Sequence, residues 1–508
     1  MLGYHRRPGL RVSGPVRRRS ARRARLAGAA LLVAGAAAAL AAAGSASGGA
    51  GAPRPPNVLL ILVDDQAMNT FTPRLEPHTY RWIVHPGTKF TAGLAAPPLC
   101  CPDRAGILTG QYPHNDGVFS NDPGYATLRQ KADTLPVWLG RAGYRTGFVG
   151  KFLNGYVNDA GYAPAPGFDS WFAYDASLSY LDYTVSDQGE PRSFGSGRGD
   201  YSTDVFTAAA LRFLRSPSSK PFFLWLAYNA PHDSHVAVPH CDSFDPLPPS
   251  EASYLRFSRL DLPRPASFNE ADVSDKPAAI ASMPLLDKPH VGYVIRRYRC
   301  TAAAISEVDR GVNRIMHALR RRGELRHTIV FYLSDNGYFF GEHRIDFGKS
   351  YPYEPALRVP YAVRIPAAYR PGPQTRSAAE MVSNQDVAPT ILDYAGGVDP
   401  CAAPHRCRTL DGHSLRPLLS RDGRWPRGRG VLAELDDAGI DYATIRTPDY
   451  AYTRYADGER ELYDLRRDPA ELENVAGDPA YAAAEAGLAA RLAALRRCSG
   501  TRGPRACE

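Results

Sequence analysis

Two pairs of oxygen-bearing side chains come directly after strongly apolar segments of the chain. One pair is Asp64 and Asp65, and the other is Asp335 and Asn336. Carboxylate and amide oxygens are the ligands that calcium and magnesium prefer, and no His/Cys group at zinc spacing competes with them. Acids that follow strands also serve as helix caps and turn residues. The pairs therefore indicate a divalent cation site and leave a purely structural role open.

Lys151 and His232 follow two other apolar segments in the same way. Ligands of open α/β sheets bind beyond the carboxyl ends of the strands, so four such strand ends would place these polar side chains on one rim. A lone lysine is usually a solvated charge, and a lone histidine usually a hydrogen-bonded filler. The chain has only seven lysines, however, which favours a functional interpretation of a lysine at a strand end.

The elements that must position these residues alternate along the chain. Helical patterns are found at 134–142 and about 291–322, and the apolar runs predict buried strands at 57–63, 144–149, 221–227 and 327–333. The first strand has the continuous apolar composition of a parallel strand that is covered on both faces. Strands that alternate with helices predict an α/β fold, with a large, mainly parallel sheet flanked by helices.

A smaller unit is expected after a boundary near 418–430. Short strand patterns there predict an antiparallel sheet at 442–446, 450–455 and 461–464. A helix from about 479 to 497 closes the chain, with Asp478 as its N-cap. Residues 243–290, rich in Pro, Ser and Asp, predict a long excursion over the surface. We therefore expect a linker at 51–56, a catalytic domain at 57–420 and a C-terminal α+β subdomain at 430–508.

The first 50 residues carry the net charge of the chain. They hold nine arginines and no acid, which accounts for the whole formal charge of +9. An arginine-rich start, an apolar run at 26–43 and small residues up to 50 have the layout of an export signal at 1–50. We therefore expect a secreted protein, without an electrostatic case for nucleic-acid binding. The apolar run approaches spanning length, so membrane attachment through an uncleaved signal is the alternative.

Eight cysteines fit an oxidising compartment. Six of them suit loop closure by disulfides, and the sequence leaves their connectivity open. The candidate pairs are Cys401 with Cys407, Cys498 with Cys507 and, for a longer loop, Cys241 with Cys300. Cys100 and Cys101 stand outside this scheme, so Cys100 needs an explanation of its own.

Cys100 begins the segment Cys-Cys-Pro-Asp-Arg, which ends at Arg104 and continues through Leu-Thr-Gly to Asn115. This run resembles the maturation signature of the type I, formylglycine-dependent sulfatases, which is Cys-x-Pro-x-Arg followed by a Leu-Thr-Gly segment. A five-residue match is weak, but agreement over the whole run 100–115 is specific.

The resemblance covers most of the chain after residue 55, in the order and spacing of the family. The matching segments are Asp64-Asp65, Gly150-Lys151, Pro231-His232, Ser334 to Tyr338, Lys349, Tyr353-Glu354, Arg358 to Pro360, Asp411 to Leu415, Glu461 to Asp464 and Asp468-Pro469. The resemblance implies an alkaline-phosphatase-like sandwich with a large, mainly parallel sheet, a smaller C-terminal antiparallel sheet and a helix.

By this resemblance, Cys100 is converted to formylglycine by the formylglycine-generating enzyme, and the hydrated aldehyde supplies the nucleophile. One hydroxyl of the hydrate attacks sulfur, and the other later expels sulfate as the aldehyde reforms, so that one difficult step becomes two. The family also implies one calcium ion, with magnesium less favoured, and its implied ligands are Asp64, Asp65, Cys100, Asp335 and Asn336.

The remaining site residues that the resemblance implies handle charge. Arg104, Lys151 and Lys349 would stabilise negative charge on the sulfate oxygens and the nucleophile. Pro102, at a helix start, would place the positive end of the helix dipole near the anion. His232 would act as the general acid that protonates the leaving alcohol, because an alkoxide leaves poorly.

Two departures from the family pattern bear on maturation and substrate. Asp103 stands where the signature usually has Ser, and a carboxylate beside a sulfate is repulsive unless it points away or pairs with an arginine. The segment after Lys151 lacks the histidine of the family's Lys-Trp-His-Leu-Gly and, with the Cys-Cys pair, resembles the N-acetylglucosamine-6-sulfatase branch. For His235 and His343, near these motifs, we expect surface positions, with substrate contact as the alternative.

The sequence thus predicts a hydrolase of sulfate monoesters, with a sulfated carbohydrate, an amino sugar or an aryl sulfate as its substrate. A phosphodiester or phosphonate monoester hydrolase on the same fold uses nearly the same residues and is the nearest alternative. A non-catalytic secreted protein that binds sulfated glycans, with Cys100 left as a thiol, is the alternative from another class.

Overall fold

A ten-stranded sheet forms the centre of the computed structural model. Its strands are β1 (Asn57–Val63), β2 (Thr88–Leu94), β3 (Arg145–Lys151), β4 (Ser170–Tyr174), β5 (Tyr183–Asp187), β6 (Glu190–Phe194), β7 (Phe222–Ala227), β8 (Thr328–Ser334), β9 (Tyr361–Arg364) and β10 (Ser377–Ser383). They lie in the order β10-β2-β9-β8-β1-β7-β3-β4-β5-β6. Only β5 and β9 run against the other strands of this sheet. The predicted large, mainly parallel sheet is confirmed.

The structure describes residues 54–175, 178–197, 199–370, 372–402, 407–419, 423–425, 428–502 and 505–508. The predicted export signal lies outside these residues. Within them, no helix combines the length and the apolar character needed to cross a membrane. The chain from Pro55 to Glu508 forms one compact unit, so the division into domains at 57–420 and 430–508 stays a prediction.

Helices cover both faces of the sheet because alternate residues of each central strand point to opposite sides. On one face, Leu59 and Ile61 of β1 pack with the helices Ser202–Arg215 and Lys288–Arg321. On the other face, Leu60 packs with the helices Cys100–Thr109, Leu135–Arg141 and Val387–Tyr394. The long helix begins at a cap, since the Asp287 carboxylate accepts a hydrogen bond from the backbone amide of His290 at 3.0 Å.

The shorter elements connect these layers. The remaining α-helices are Pro77–Thr79, Pro113–Asp116, Tyr156–Ala160, Glu251–Leu255, Ala278–Ala281, Glu354–Leu357 and Ala482–Leu495. A π-helix spans Tyr80–Val84, and 3-10 turns span Met68–Thr70, Gly124–Thr127, Leu325–His327, Ala367–Tyr369, Asn384–Asp386, Arg416–Leu419 and Pro479–Tyr481.

The predicted C-terminal antiparallel sheet is confirmed, with one strand more than the sequence patterns indicated. It consists of β11 (Val431–Asp437), β12 (Ile440–Arg446), β13 (Tyr450–Tyr455) and β14 (Arg460–Asp464), each paired with the next. The predicted closing helix begins as a 3-10 turn at Pro479, capped by the Asp478 carboxylate at 2.8 Å from the Ala480 amide, and becomes α-helical from Ala482 to Leu495.

Residues 243–290 are not only a surface excursion, as their composition suggested. Leu247, Val273 and Ile280 within this segment are buried. The reason is that apolar residues interspersed among the prolines find partners in the main body of the fold. The three expected disulfides all form, and they join Cys241 to Cys300, Cys401 to Cys407 and Cys498 to Cys507.

Candidate active site

Four adjacent strands of the sheet, β8, β1, β7 and β3, carry the polar residues singled out in the sequence. Asp64 and Asp65 follow β1, and Asp335 and Asn336 follow β8. Val63 and Ser334 are register partners, so the two pairs leave the sheet side by side. Lys151 is the last residue of β3, and the loop after β7 carries His232 on the same edge of the sheet. The structure therefore brings all six residues together.

Cys100 lies at the centre of this group. It is the first residue of the helix Cys100–Thr109, and every residue of that helix is buried. Its Sγ atom lies 3.0 Å from Lys349 Nζ, 3.4 Å from Asp64 Oδ1, 3.6 Å from Lys151 Nζ and 3.9 Å from Asp65 Oδ1. Lys349, which no strand-end pattern indicated, is brought in by the loop that follows β8.

Pro102 occupies the third position of this helix rather than its start, because the helix begins two residues earlier. A proline is tolerated there, since the amides of the first turn have no partner within the helix. Cys100 rather than Pro102 stands at the amino-terminal end. The positive end of the helix dipole is therefore directed at the Cys100 side chain itself.

Three carboxylates face three cationic side chains in the same buried cluster. Lys151 Nζ lies 2.5 Å from Asp64 Oδ2, Arg104 Nε lies 2.7 Å from Asp335 Oδ2, and Lys349 pairs with Asp65. Burial works against the charged form of Lys151, but the neighbouring Asp64 carboxylate outweighs it and raises the lysine pKa. The cluster thus keeps its lysines protonated and its guanidinium charged.

The residues present fit a hard divalent cation. Asn336 Oδ1 is buried and has no hydrogen-bond donor among the described residues, which is costly unless a ligand is bound there. Asp335 Oδ1 accepts a hydrogen bond from the Asp65 backbone amide at 3.2 Å, and Asn336 Nδ2 donates one to Asp65 Oδ1 at 2.7 Å. Four potential ligand atoms lie within 4.8 Å of one another, one each from Asp64, Asp65, Cys100 and His232. The carboxylate and amide oxygens of Asp64, Asp65, Asp335 and Asn336 are of the kind that calcium or magnesium binds.

His232 faces the cluster from the loop after β7. Its Nε2 lies 3.7 Å from Asp65 Oδ2, and its Nδ1 lies 2.6 Å from Asp233 Oδ1. Burial and the nearby Lys151 and Lys349 lower the pKa of His232, but Asp65 and Asp64 outweigh them, so the pKa is well above its usual range.

The Asp233 partner of His232 was missed in the sequence. Its position next to the histidine in Pro-His-Asp was the available signal. Burial works against the charged form of Asp233, but His232 outweighs it and lowers the pKa of this carboxyl. An ionised Asp233 at Nδ1 fixes the orientation of the ring and leaves Nε2 facing the cluster.

Asp103 does not present its charge to the cluster. One of its carboxyl oxygens accepts a hydrogen bond from the Ala96 backbone amide at 3.2 Å, and the other accepts from Asn384 Nδ2 at 2.7 Å. Complete burial raises the pKa of Asp103 well above its usual range, which favours the neutral carboxyl. Burial, which favours the neutral carboxyl, therefore reduces the repulsion expected between Asp103 and a bound sulfate, and the hydrogen bonds from Ala96 and Asn384 hold the side chain in place.

The two additional histidines differ in their burial. His235 is exposed, as expected. His343 is fully buried, so the surface position expected for it is wrong. Its Nδ1 lies 2.6 Å from Glu270 Oε2, and its ring centre lies 4.5 Å from that of Tyr353. The physical reason is that the segment 243–290 folds back over it and supplies a carboxylate partner.

Arg297 is another residue that sequence reasoning missed. It is 1% exposed and, with Asp65, Asp233 and Tyr338, lines a narrow crevice beside the cluster. It belongs to the long helix Lys288–Arg321, where arginine is frequent and no local pattern distinguishes it.

Known proteins similar to this chain include sulfatases. The family model described as Sulfatase matches residues 56–398, and the model described as N-sulphoglucosamine sulphohydrolase, C-terminal, matches residues 341–498. Human N-acetylglucosamine-6-sulfatase is 30% identical over 500 residues, which cover 88% of this chain and 85% of the human protein. The putative extracellular sulfatase Sulf-1 homolog of Caenorhabditis elegans is 33% identical over 373 residues, covering 72% of this chain. The chain spans about half of that relative, 49% of its length.

Solved structures share the architecture. The protein BT4656, in complex with its substrate D-glucosamine-2-N,6-O-disulfate, superposes with a TM-score of 0.71 at 24% identity, over 87% of this chain and 97% of that chain. The phosphonate monoester hydrolase of Agrobacterium radiobacter superposes with a TM-score of 0.67 at 21% identity, over 87% and 95%. These likenesses confirm the alkaline-phosphatase-like sandwich. Because the Sulfatase model covers more than half of its residues, the chain belongs to the sulfatase family, a family of sulfuric ester hydrolases.

Proposed function

We propose that this protein hydrolyses sulfate monoesters, with Cys100 converted to formylglycine as the source of the nucleophile. The observation that carries the proposal is the convergence of charged groups on one atom. Lys349, Lys151, Asp64 and Asp65 all lie within 3.9 Å of Cys100 Sγ. A structural cysteine needs apolar neighbours and gains nothing from two ammonium groups.

The metal-binding part of the proposal is a calcium site formed by Asp64, Asp65, Asp335, Asn336 and the modified Cys100. A bound calcium ion would supply Lewis acidity to the nucleophile and to a sulfate oxygen. The unpartnered Asn336 Oδ1 supports this assignment. Calcium is preferred to magnesium because the amide and carboxylate ligands come from two loops, which suits the more flexible coordination of calcium.

The cations of the chain hold the sulfate in position. Arg104 is fixed by its 2.7 Å contact with Asp335, and Lys151 by its 2.5 Å contact with Asp64. Charges held by such partners need no reorganisation when negative charge develops on the sulfate oxygens, which is the main source of electrostatic catalysis. Lys349 reaches the reacting side chain directly, and it would stabilise the deprotonated nucleophile.

His232 is the proposed acid for the leaving alcohol. Asp233 fixes its Nδ1, so that the Nε2 proton is the one available to the substrate. A sugar alkoxide is a poor leaving group, and proton donation in the transition state typically contributes about 10²–10⁴-fold. The position of the ring at the edge of the cluster, 3.7 Å from Asp65, supports this role.

The proposed substrate is a sulfated amino sugar. Relatives named N-acetylglucosamine-6-sulfatase align over most of the chain, and BT4656 was solved with a sulfated glucosamine as its substrate. The relatives named extracellular sulfatases support secretion of this protein. N-acetylglucosamine 6-sulfate is therefore the substrate with which to begin.

Mass spectrometry of the Cys100 peptide and a turnover assay test the proposal together. Protein from a host that contains the formylglycine-generating enzyme should carry an aldehyde or its hydrate at Cys100, and it should release sulfate from N-acetylglucosamine 6-sulfate. Cys100→Ala should retain the fold and lose turnover. An unmodified thiol in active protein would refute the nucleophile.

A matched phosphonate monoester belongs in the same assay, since a phosphonate monoester hydrolase has this fold. Faster turnover of the phosphonate ester than of the sulfate ester would refute the substrate class. Binding of the sulfated sugar without turnover by protein that carries formylglycine would favour a binding protein.

A further inference from the structure

Two exposed aromatic rings stand beside the candidate active site. Phe347 is 49% exposed and Phe244 is 56% exposed. The ring of Phe347 has its centre 5.0 Å from the guanidinium carbon of the buried Arg297, and the backbone carbonyl of Phe244 accepts a hydrogen bond from Arg297 Nη2. These are two of only four large apolar side chains exposed in the described part of the chain, and Arg297 links the segments that carry them.

Both rings lie near residues that neighbour groups of the proposed mechanism, one along the chain and one through a ring contact. Phe347 stands two residues before Lys349, whose Nζ lies 3.0 Å from Cys100 Sγ. The ring of Phe244 lies 6.2 Å from that of His235, three residues after His232 in the same loop. Phe347 is thus close along the chain to Lys349, and the Phe244 ring packs against the loop that carries the proposed acid.

The support for the Phe347 ring is rigid. Arg297 is 1% exposed, and its Nε lies 3.3 Å from Asp245 Oδ1. Its Nη2 also donates a hydrogen bond to the Tyr293 hydroxyl at 2.6 Å, and the Tyr293 ring packs edge-on to Phe347 with 6.3 Å between centres. A ring that is held in place before binding loses little conformational entropy when a ligand covers it.

The two arginines beside the rings are already paired with carboxylates. Asp245 contacts Arg296 at 3.3 Å as well as Arg297, and Arg296 also pairs with Asp242. These two arginines therefore offer no free guanidinium to a second sulfate group. The surface fits an uncharged ring with apolar C–H faces rather than a highly sulfated one.

We propose that Phe347 and Phe244 form an aromatic platform that binds the unsulfated sugar ring next to the sulfated sugar. One residue, Gly348, separates Phe347 from Lys349, so their Cα atoms lie at most about 7 Å apart, and the lysine side chain adds its own length toward Cys100. Lys349 reaches Cys100 whereas the Phe347 ring is exposed at the surface, which favours contact with the neighbouring sugar over contact with the ring that carries the reacting sulfate. This inference rests on the proposed sulfatase activity and adds an oligosaccharide preference to it.

Steady-state kinetics on two substrates test the platform. The substrates are N-acetylglucosamine 6-sulfate and a disaccharide in which this sugar is linked to an unsulfated hexose. Phe347→Ala and Phe244→Ala should each raise the KM for the disaccharide about tenfold, from the apolar area left uncovered, and leave its kcat unchanged. The KM for the monosaccharide should stay within about twofold of the wild-type value.

Two control variants separate the ring from general effects of substitution. Phe347→Tyr keeps the aromatic face and should retain the wild-type KM for the disaccharide. Leu255→Ala removes a side chain that is 52% exposed on the short helix Glu251–Leu255, and it should change the KM for neither substrate.

Two outcomes would overturn the inference in different ways. If the wild-type protein hydrolyses both sugars and Phe347→Ala behaves like Leu255→Ala, or raises both KM values equally, the platform is refuted alone. If the wild-type protein, with formylglycine at Cys100, hydrolyses neither sugar, the proposed activity is refuted and the platform with it.

Discussion

Substitution of His232 by Gln should separate substrates by the quality of their leaving groups. A nitrophenolate is a stable anion and leaves without a proton, whereas a sugar alkoxide needs one. If His232 donates that proton, its loss should slow the hydrolysis of N-acetylglucosamine 6-sulfate and leave that of 4-nitrophenyl sulfate nearly unchanged. Lys349, Lys151 and Arg104 would stabilise the negative charge on the nucleophile and the sulfate, and the substitution leaves these residues unchanged.

The expected magnitude follows from the contacts of the histidine. General acid catalysis contributes about 10²–10⁴-fold, so kcat/KM for the sugar sulfate should fall by about 10³-fold. The value for nitrophenyl sulfate should fall by less than about tenfold, a difference of about 2.7 kcal/mol in transition-state stabilisation. Fold stability should change little, because the Asp233 side chain is 28% exposed and becomes solvated when its partner is lost, a cost of about 1 kcal/mol or less.

The assay compares wild type, His232→Gln and His235→Gln on both esters, with sulfate release as the common readout. His235 is exposed and lies three residues away, so it controls for a disturbance of the loop. Equal fractional losses on the two esters in His232→Gln would refute the acid role and indicate that His232 only orders the site. Losses of the same size in His235→Gln would point to the loop instead.

Three further predictions concern burial, pH and metal. Asp103→Ala removes the carboxyl group that accepts hydrogen bonds from the Ala96 amide and Asn384 Nδ2. It should lower the free energy of unfolding by about 2–3 kcal/mol in urea titrations. A loss below about 0.5 kcal/mol would contradict the burial argument. Burial works against the charged form of His114, but the 2.6 Å hydrogen bond to Glu434 outweighs this and raises the pKa of His114. The pair should therefore stabilise the fold fully below about pH 6.5 and lose its effect as the pH rises through the raised pKa. The difference in Tm between wild type and His114→Gln should therefore be largest in mild acid and shrink in alkali. A chelator should lower the Tm, and calcium at about 100 times its Kd should restore about 2.7 kcal/mol in wild type but not in Asp335→Asn.

The strands that carry the site could be predicted because each one is a dense apolar run that ends abruptly in polar residues. The predicted strand 57–63 has the same bounds in the structure as in the sequence pattern, and Asp64 follows at once. Parallel packing then brings separate strand ends to one edge without further information. The four strands β1, β3, β7 and β8 and the strand-end residues of the cluster follow from local sequence for this reason, whereas the other six strands of the sheet were not predicted.

Contacts between distant segments could not be predicted in this way. The state of Asp103 depends on Asn384, 281 residues later, and the burial of His343 depends on Glu270 in a segment that reads as surface. Arg297 is one of many arginines in an amphipathic helix, and its place beside the cluster depends on how the whole helix packs. No local pattern encodes such pairings, because each is decided by tertiary contacts.

The complete burial of the signature helix has a consequence for maturation. Cys100 and Arg104 are both 0% exposed, and all ten residues of Cys100–Thr109 are buried in the core. A modifying enzyme that reads the Cys, Pro and Arg of this segment cannot reach them in the folded protein. The proposed conversion of Cys100 therefore has to precede the closing of this core. Asp103 then has two environments, a solvated carboxylate while the segment is being read and a neutral buried carboxyl once Ala96 and Asn384 enclose it.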